Sequence, residues 1–573
     1  MLNQQLHLTL PHALRRASRK RPLATLAHAL ALGLMLACAR LAPASADVPA
    51  AAPSAAPTNA AADFIKPDTS ASCSAPLRAL LATIRADDLR IDLDFLASPA
   101  LEGRGLSSVG LDAACEYVVA TFRRAGLRGG AAPGPASFEQ RVPLCRIARP
   151  GGGLEVQLHG ATVSFVGGRD CLLPEAAPQM VAAPVVFAKY GIAEPTLGRD
   201  DLKGLDLRGK AALVLGGLPS DLRLRAPALI ERYAAKDPDD RNTARLDALA
   251  KTGAAMLIVI EDDLAQTLAA TKPPTSHFVS PERDVQDEAP LLVRVSPAQG
   301  RALLAAAGLD VSHVEGLAPA PLPGVTATLR LTGESVPFEG RNVIATLPGS
   351  DPAVRDEAVI IGAHVDHLGR VGAELFPGAD DNASGVSALL AIARAMAASP
   401  LRPRRTLVFA AWTGEEMGHF GSRHYMRHPL WPLDKTAAYL NLDMIAHPWT
   451  EAEIRKLVID SGLQNGEAWM QGIRPCDFVE PGVADWAAGT LVPVLASASS
   501  ATGLNLHVDR TSGRHGGSDY RSFALQGVPF VRFFGSYFPD YHKPGDRSER
   551  LDARQIERMA RLACATLWIL ANR

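Results

Sequence analysis

Apolar and polar positions change period along this chain, and each change marks an element. Leu80–Arg85 and Leu89–Leu96 are apolar at helical spacing, and Leu111–Gly126 reads as an amphipathic helix stopped by Gly126. Between them lies a glycine-rich turn, Leu101-Glu102-Gly103-Arg104-Gly105. From Met180 to Leu317 the pattern shortens to the β-rich runs Pro184–Ala188, Ala211–Leu215, Met256–Ile260 and Leu291–Val295. A helix over Thr243–Thr252 ends at Gly253, another ends at Gly308, and Pro273, Pro274 and Pro281 mark a long loop. Beyond residue 318 the strands Val359–Ala363, Thr406–Trp412, Ala437–Met444 and Val528–Phe534 alternate with helices, Ser384–Ala398 the longest. Strands apolar on both faces and interleaved with helices predict an α/β fold, a mostly parallel or mixed sheet covered by helices on both sides. A small β-rich domain is inserted into it. The pattern divides the chain into a first zone over residues 73–179, a β-rich insert over 180–317 and an α/β zone over 318–573.

The first residues read differently. Arg15, Arg16, Arg19, Lys20 and Arg21 precede the apolar stretch Leu23–Ala39 and the small-residue site Ala44-Ser45-Ala46. This order predicts an export signal over residues 1–46, and hence a periplasmic or secreted protein. Met35-Leu36-Ala37-Cys38 offers a poor lipobox as a second route, with a lipid anchor on Cys38. Residues 47–72, rich in Ala and Pro, read as a flexible linker. No later apolar run approaches the ~20 residues that span a bilayer. Export would permit disulfides among Cys73, Cys115, Cys145 and Cys171, with no pairing legible. The seven cysteines include no C-x-x-C pair, which excludes a cysteine zinc site. The 59 basic and 60 acidic residues leave a net charge of −1, which argues against a nucleic-acid partner.

The candidate chemistry sits where strands end. His364-Val365-Asp366 follows one strand, Asp380-Asp381-Asn382 precedes the long helix, Glu415-Glu416 and Asp443 follow two further strands, and Tyr541-His542 follows the last. In sheets of this kind strand ends gather ligand-binding groups. Imidazoles with carboxylates suit zinc, and two histidines with three carboxylates exceed one catalytic zinc's usual three protein ligands. They suffice for two ions if one carboxylate bridges. Asp366, two residues from His364, can accept that ring's second N–H.

His364-x-Asp366, Gly378-Ala379-Asp380-Asp381-Asn382-Ala383-Ser384-Gly385, Gly414-Glu415-Glu416, Asn441-Leu442-Asp443-Met444 and Tyr541-His542 together resemble the zinc-dependent M28 aminopeptidase family. Leu101-Glu102-Gly103-Arg104 is similar to the N-terminal part of that fold, and the insert resembles a protease-associated (PA) domain. The resemblance implies two Zn2+ ions: His364 and Asp443 on one, Glu416 and His542 on the other, Asp380 bridging. It implies Glu415 as general base, Asp366 as partner of His364, and Tyr541 as an oxyanion donor. Zinc lowers the pKa of bound water from 15.7 to about 7; the resulting hydroxide would attack the scissile carbonyl while glutamate shuttles the proton. The implied substrates are peptides or proteins with a free N-terminus. A carboxypeptidase or a glutaminyl-cyclase-like acyltransferase is the alternative within the fold. A non-enzymatic receptor would be expected to have lost ligands that this chain retains. No G-x-S-x-G or H-E-x-x-H is present, against serine hydrolases and zincins. His367, His419, His424, His447 and His515 read as pocket lining or structural residues, Ser518-Asp519 as shaping the pocket, and the segment from 451 to 503, with Trp469, Trp486 and Cys476, as a pocket wall.

Overall fold

The computed structural model describes residues 63–68, 70, 73–130, 137–219, 229–233, 242–270, 276–282, 289–309, 316–514 and 517–573. The expected export signal with Cys38, the linker as far as residue 62, and His515 lie outside the described residues.

After a short strand at Phe64–Ile65 and a short helix over Ala75–Ala82 come α1 (Ala86–Leu96) and α2 (Val109–Arg124). The Ser108 hydroxyl accepts from Leu111 N–H and starts α2. Next come β1 (Glu139–Leu158), β2 (Gln179–Phe187), β3 (Ala211–Leu215), β4 (Met256–Ile260), β5 (Ser276–Val279) and β6 (Leu291–Val295). Then follow β7 (Ala320–Leu347), β8 (Ala358–His364), α3 (Gly385–Ala398), β9 (Thr406–Trp412), α4 (Phe420–Arg427) and β10 (Thr436–Leu442). The chain closes with α5 (Ala488–Thr502), β11 (Phe530–Phe533) and α6 (Ala553–Asn572).

β8, β9 and β10 are buried at nearly every residue, as their unbroken apolar runs require. β8 pairs parallel with β9 and β10, β10 pairs parallel with β11, and β7 joins β9 antiparallel. The sheet is therefore mixed. One core gathers α1, α2, α3 and α6 with these strands, so residues from Leu77 to Leu144 pack with those from Val343 to Ala571. A second core draws on Leu154 through Leu331, wider than the 180–317 span of the β-rich runs.

β1 and β7 explain that width. They pair antiparallel from Glu139↔Val343 to Leu158↔Val325, with one bulge between Thr332 and Glu334, and run from one core into the other. Pro150 and Gly151–Gly153 interrupt β1, and Pro323, Gly324 and Gly333 interrupt β7, so the apolar pattern gives no strand signal there. The cysteines at 73, 115, 145, 171, 476 and 564 are free.

The turn before α2 is a buried clamp. The Arg104 guanidinium donates to the carbonyls of Leu96 (2.5 Å), Val365 (2.9 Å), Pro377 (2.8 Å) and Gly378 (2.7 Å). It ties the end of α1 to the loops that follow β8 and precede α3. Burial lowers its pKa to about 10 against the opposing pull of Asp546, Asp381, Asp366 and Glu416, so it remains a cation at neutral pH. Gly103 is required beside it: φ is +68°, and a Cβ would lie 2.2 Å from the Phe376 carbonyl oxygen. Arg104→Met should destabilise the fold, at about 1–3 kcal/mol for each buried carbonyl left without its donor. Denaturant unfolding checks this, and Arg104→Lys should not restore stability, because an ammonium cannot reproduce the planar fork.

Candidate metal centre

The ends of β8, β9 and β10 face the loop before α3 and the chain after β11. His364, the last residue of β8, is 1% exposed. Its Nδ1 lies 3.1 Å from the Asp366 carbonyl oxygen, which leaves Nε2 facing the cluster. Nε2 is 3.2 Å from Asp381 Oδ1, 3.3 Å from Asp443 Oδ1 and 3.9 Å from Glu415 Oε2. On the opposite side His542 Nε2 is 3.0 Å from Asp381 Oδ2 and 3.2 Å from Glu416 Oε2. Asp381 thus turns one oxygen to each imidazole, with Asp443 on one side and Glu416 on the other.

The position between the two imidazoles, expected for Asp380, is taken by Asp381. Asp380 faces away: Oδ1 accepts from Ala446 N–H (2.8 Å) and the Ser384 hydroxyl (3.0 Å), and Oδ2 is 2.6 Å from His447 Nδ1. Neighbouring side chains on non-helical backbone diverge, and the backbone here is fixed from below. Asp546, buried, accepts the N–H groups of Asp380 (2.8 Å) and Asp381 (3.1 Å). Asn382 completes the loop, donating to Leu442 O (2.9 Å) and accepting from Gly385 N–H (2.9 Å). Gly385 lets α3 start hard against β10, for a Cβ would meet Leu442 O at 2.6 Å.

Asp366 also differs in detail from expectation. Its backbone carbonyl, rather than its carboxylate, is the near partner of His364 Nδ1; Oδ1 is 4.0 Å away. The carboxylate instead accepts the N–H groups of Glu415 (3.2 Å) and Glu416 (3.4 Å), which sets both glutamates. Glu415 stands between His364 and His419, whose Nε2 is 3.3 Å from Glu415 Oε1. Tyr541 stacks on His542 at 3.9 Å between ring centroids.

Several residues of the centre were not assigned from sequence. His367 Nδ1 is 2.5 Å from Glu416 Oε1, and its ring meets that of His542 edge-on. Asp546 and Arg104 hold the loop from below. Asn441 links the centre to the aromatic core: Trp412 Nε1 donates to Tyr439 Oη, Tyr439 to Asn441 Oδ1, and Asn441 Nδ2 to Ser518 Oγ. The segment from 451 to 503 contributes less: Trp469 packs on Phe64 and Phe478, and Trp486 on Phe530.

Electrostatics follow from burial. Burial pushes Glu415 well above the usual carboxylate range, Asp443 upward and Asp366 up to about 6. Asp381 goes the other way, because hydrogen bonds from His364 and His542 outweigh its burial. Burial opposes protonation of His542, but Asp381 and Glu416 raise it to about 10. Five carboxylates, Asp366, Asp381, Glu415, Glu416 and Asp443, thus meet four imidazoles, those of His364, His367, His419 and His542. Burying such an excess of acid is costly unless cations balance it. Ligand atoms of His364, Asp381 and Glu416 lie within 4.8 Å of one another, as do those of His364, Glu415 and Asp443. The donor set of nitrogen and oxygen suits zinc.

Residues 342–567 match the model of Peptidase family M28. The chain is 37% identical over 140 residues to leupeptin-inactivating enzyme 1 of Streptomyces exfoliatus, covering 24% of this chain and 30% of that one. It is 30% identical over 254 residues to the probable lipoprotein aminopeptidase LpqL of Mycobacterium tuberculosis, covering 39% and 44%. Both matches span less than half of the relative's own length. The aminopeptidase from Aneurinibacillus sp. strain AM-1 aligns at 20% identity and a TM-score of 0.49, covering 87% of this chain and 96% of that one.

Proposed function

We propose that this chain, whose residues 342–567 match peptidase family M28, is an exported zinc aminopeptidase with a two-ion centre. His364 and Asp443 would hold one zinc ion, His542 and Glu416 the other, with Asp381 shared. The observation that carries this reading is Asp381, whose two oxygens face two imidazoles from opposite sides. Zinc bound there supplies Lewis acidity toward the scissile carbonyl and lowers the pKa of water to about 7.

The chain's own groups account for the remaining steps. Glu415, set by the Asp366 carboxylate on its N–H, accepts a proton at its carboxylate and returns it to the departing amine. The Asp366 carbonyl fixes the His364 tautomer, so Nε2 stays available as a ligand. The Tyr541 hydroxyl, beside His542, donates toward the developing oxyanion. Phe534, Tyr537 and Tyr541 form a contiguous aromatic wall next to His542 that would receive the substrate's first side chain. Export would proceed through residues 1–46, with Cys38 as the alternative point of attachment, and the insert would be PA-like. Among the described residues no helix is long and apolar enough to cross a membrane.

A paired assay tests the reading. Aminoacyl chromogenic substrates should be cleaved, and the same compounds with blocked N-termini should not. Cleavage of neither set, with zinc bound, would shift the reading to a free-carboxylate substrate. Pyroglutamate formation from N-terminal glutamine would shift it to cyclase chemistry.

A further inference from the structure

A second group of ligand-type side chains meets where the inserted unit touches the peptidase core. His424 on α4 and His428 just beyond its end are four residues apart, which places them on one face. Their ring centroids are 4.6 Å apart. Glu282, three residues past β5, reaches them from the insert: Oε2 lies 2.8 Å from His424 Nδ1, and Oε1 lies 3.0 Å from His428 Nε2. One ligand atom from each of the three lies within 4.8 Å of the others.

We propose that Glu282, His424 and His428 form a separate site for a divalent transition metal of the zinc class, which clamps the insert onto the peptidase core. Two imidazoles and a carboxylate are the three-protein-ligand set that binds zinc while leaving a position for water. His424 from the last turn of α4 and His428 from the residue that ends it turn one ring nitrogen each to the same carboxylate, as a shared ion needs. Arg427 Nη1 lies 3.2 Å from Glu282 Oε2 and opposes a cation there. Oε1, the oxygen next to His428, is the one that would turn to the ion, while Arg427 keeps Oε2 and orients the carboxylate. Gln140 Nε2 donates to the His428 carbonyl (2.8 Å), so β1 already steadies the end of α4. α4 directly follows the Glu415–Glu416 loop, so an ion at this clamp would stiffen the helix behind the catalytic glutamates.

The competing account is a metal-free ionic triad, Glu282 neutralised by Arg427 and a protonated histidine. Zinc content separates the two. Wild type, His428→Ala and Glu282→Gln, each the full mature chain, are titrated with free zinc, and bound metal is counted by mass spectrometry. The His428 side chain is 55% exposed, so its removal leaves packing intact. Each variant should bind one zinc per chain fewer than wild type, or bind that ion at least tenfold more weakly. The difference between proteins is the readout, so the result does not depend on how many ions the Asp381 centre takes. Equal zinc content in all three proteins at every free-zinc concentration would overturn the site.

Discussion

Glu415→Gln should lower kcat by roughly 10²–10⁴-fold, the usual share of a general base, while zinc content and KM stay near wild type. The amide keeps the shape of the side chain and the backbone bonds that Glu415 and Glu416 N–H donate to Asp366. It cannot accept the proton that attack by water releases. Glu415 is suited to this role by position: it sits 3.9 Å from His364 and 3.3 Å from His419 in a buried pocket that pushes its carboxyl well above the usual range. A cation beside it would oppose that upward shift and supply the ionised form. Steady-state kinetics with metal analysis on the same preparation check the result. Wild-type turnover in the variant would remove Glu415 from the mechanism.

Asp381→Ala and Asp380→Ala should differ sharply, although the two residues are adjacent. Removing Asp381 takes the one donor common to both imidazole sets, and the protein should lose zinc and all measurable turnover. Asp380 touches His447, Ser384 and the Ala446 N–H. Its loss should fall within the 10–100-fold decrease typical of a partner that only orients ligands. Zinc titration of the two variants side by side decides the matter. The reverse order would restore Asp380 to the bridging place.

The sequence carried strand ends well and side-chain direction poorly. β8, β9 and β10 were legible because strands buried on both faces are apolar throughout, and the polar residues that stop them, His364, Glu415 and Asp443, stand out against that background. Asp380 and Asp381 were not separable: both are acids at the same strand-to-helix turn, and the partners that tell them apart, Ala446 N–H and His447 on Asp380 and the two imidazoles on Asp381, come from distant parts of the chain. Asp366 was legible as a neighbour of His364, whereas its hold on the glutamate loop depends on how β9 ends beside it. The β1–β7 pair was hidden because prolines and glycines break its alternation, and its pairing joins residues far apart in the chain. Glu282 gave no signal at all, since its partners lie on a helix more than a hundred residues away.

The β1–β7 pair also determines where this chain could be cut and rejoined. Leu144 and Phe338 are directly opposed in the ladder, so the chain leaves the peptidase core and returns to it at neighbouring positions. Everything between them is a cassette with adjacent entry and exit points. A short hairpin turn across that pair would close the peptidase sheet without the insert. Such a shortening would leave in place the strands that carry His364, Glu415 and Asp443.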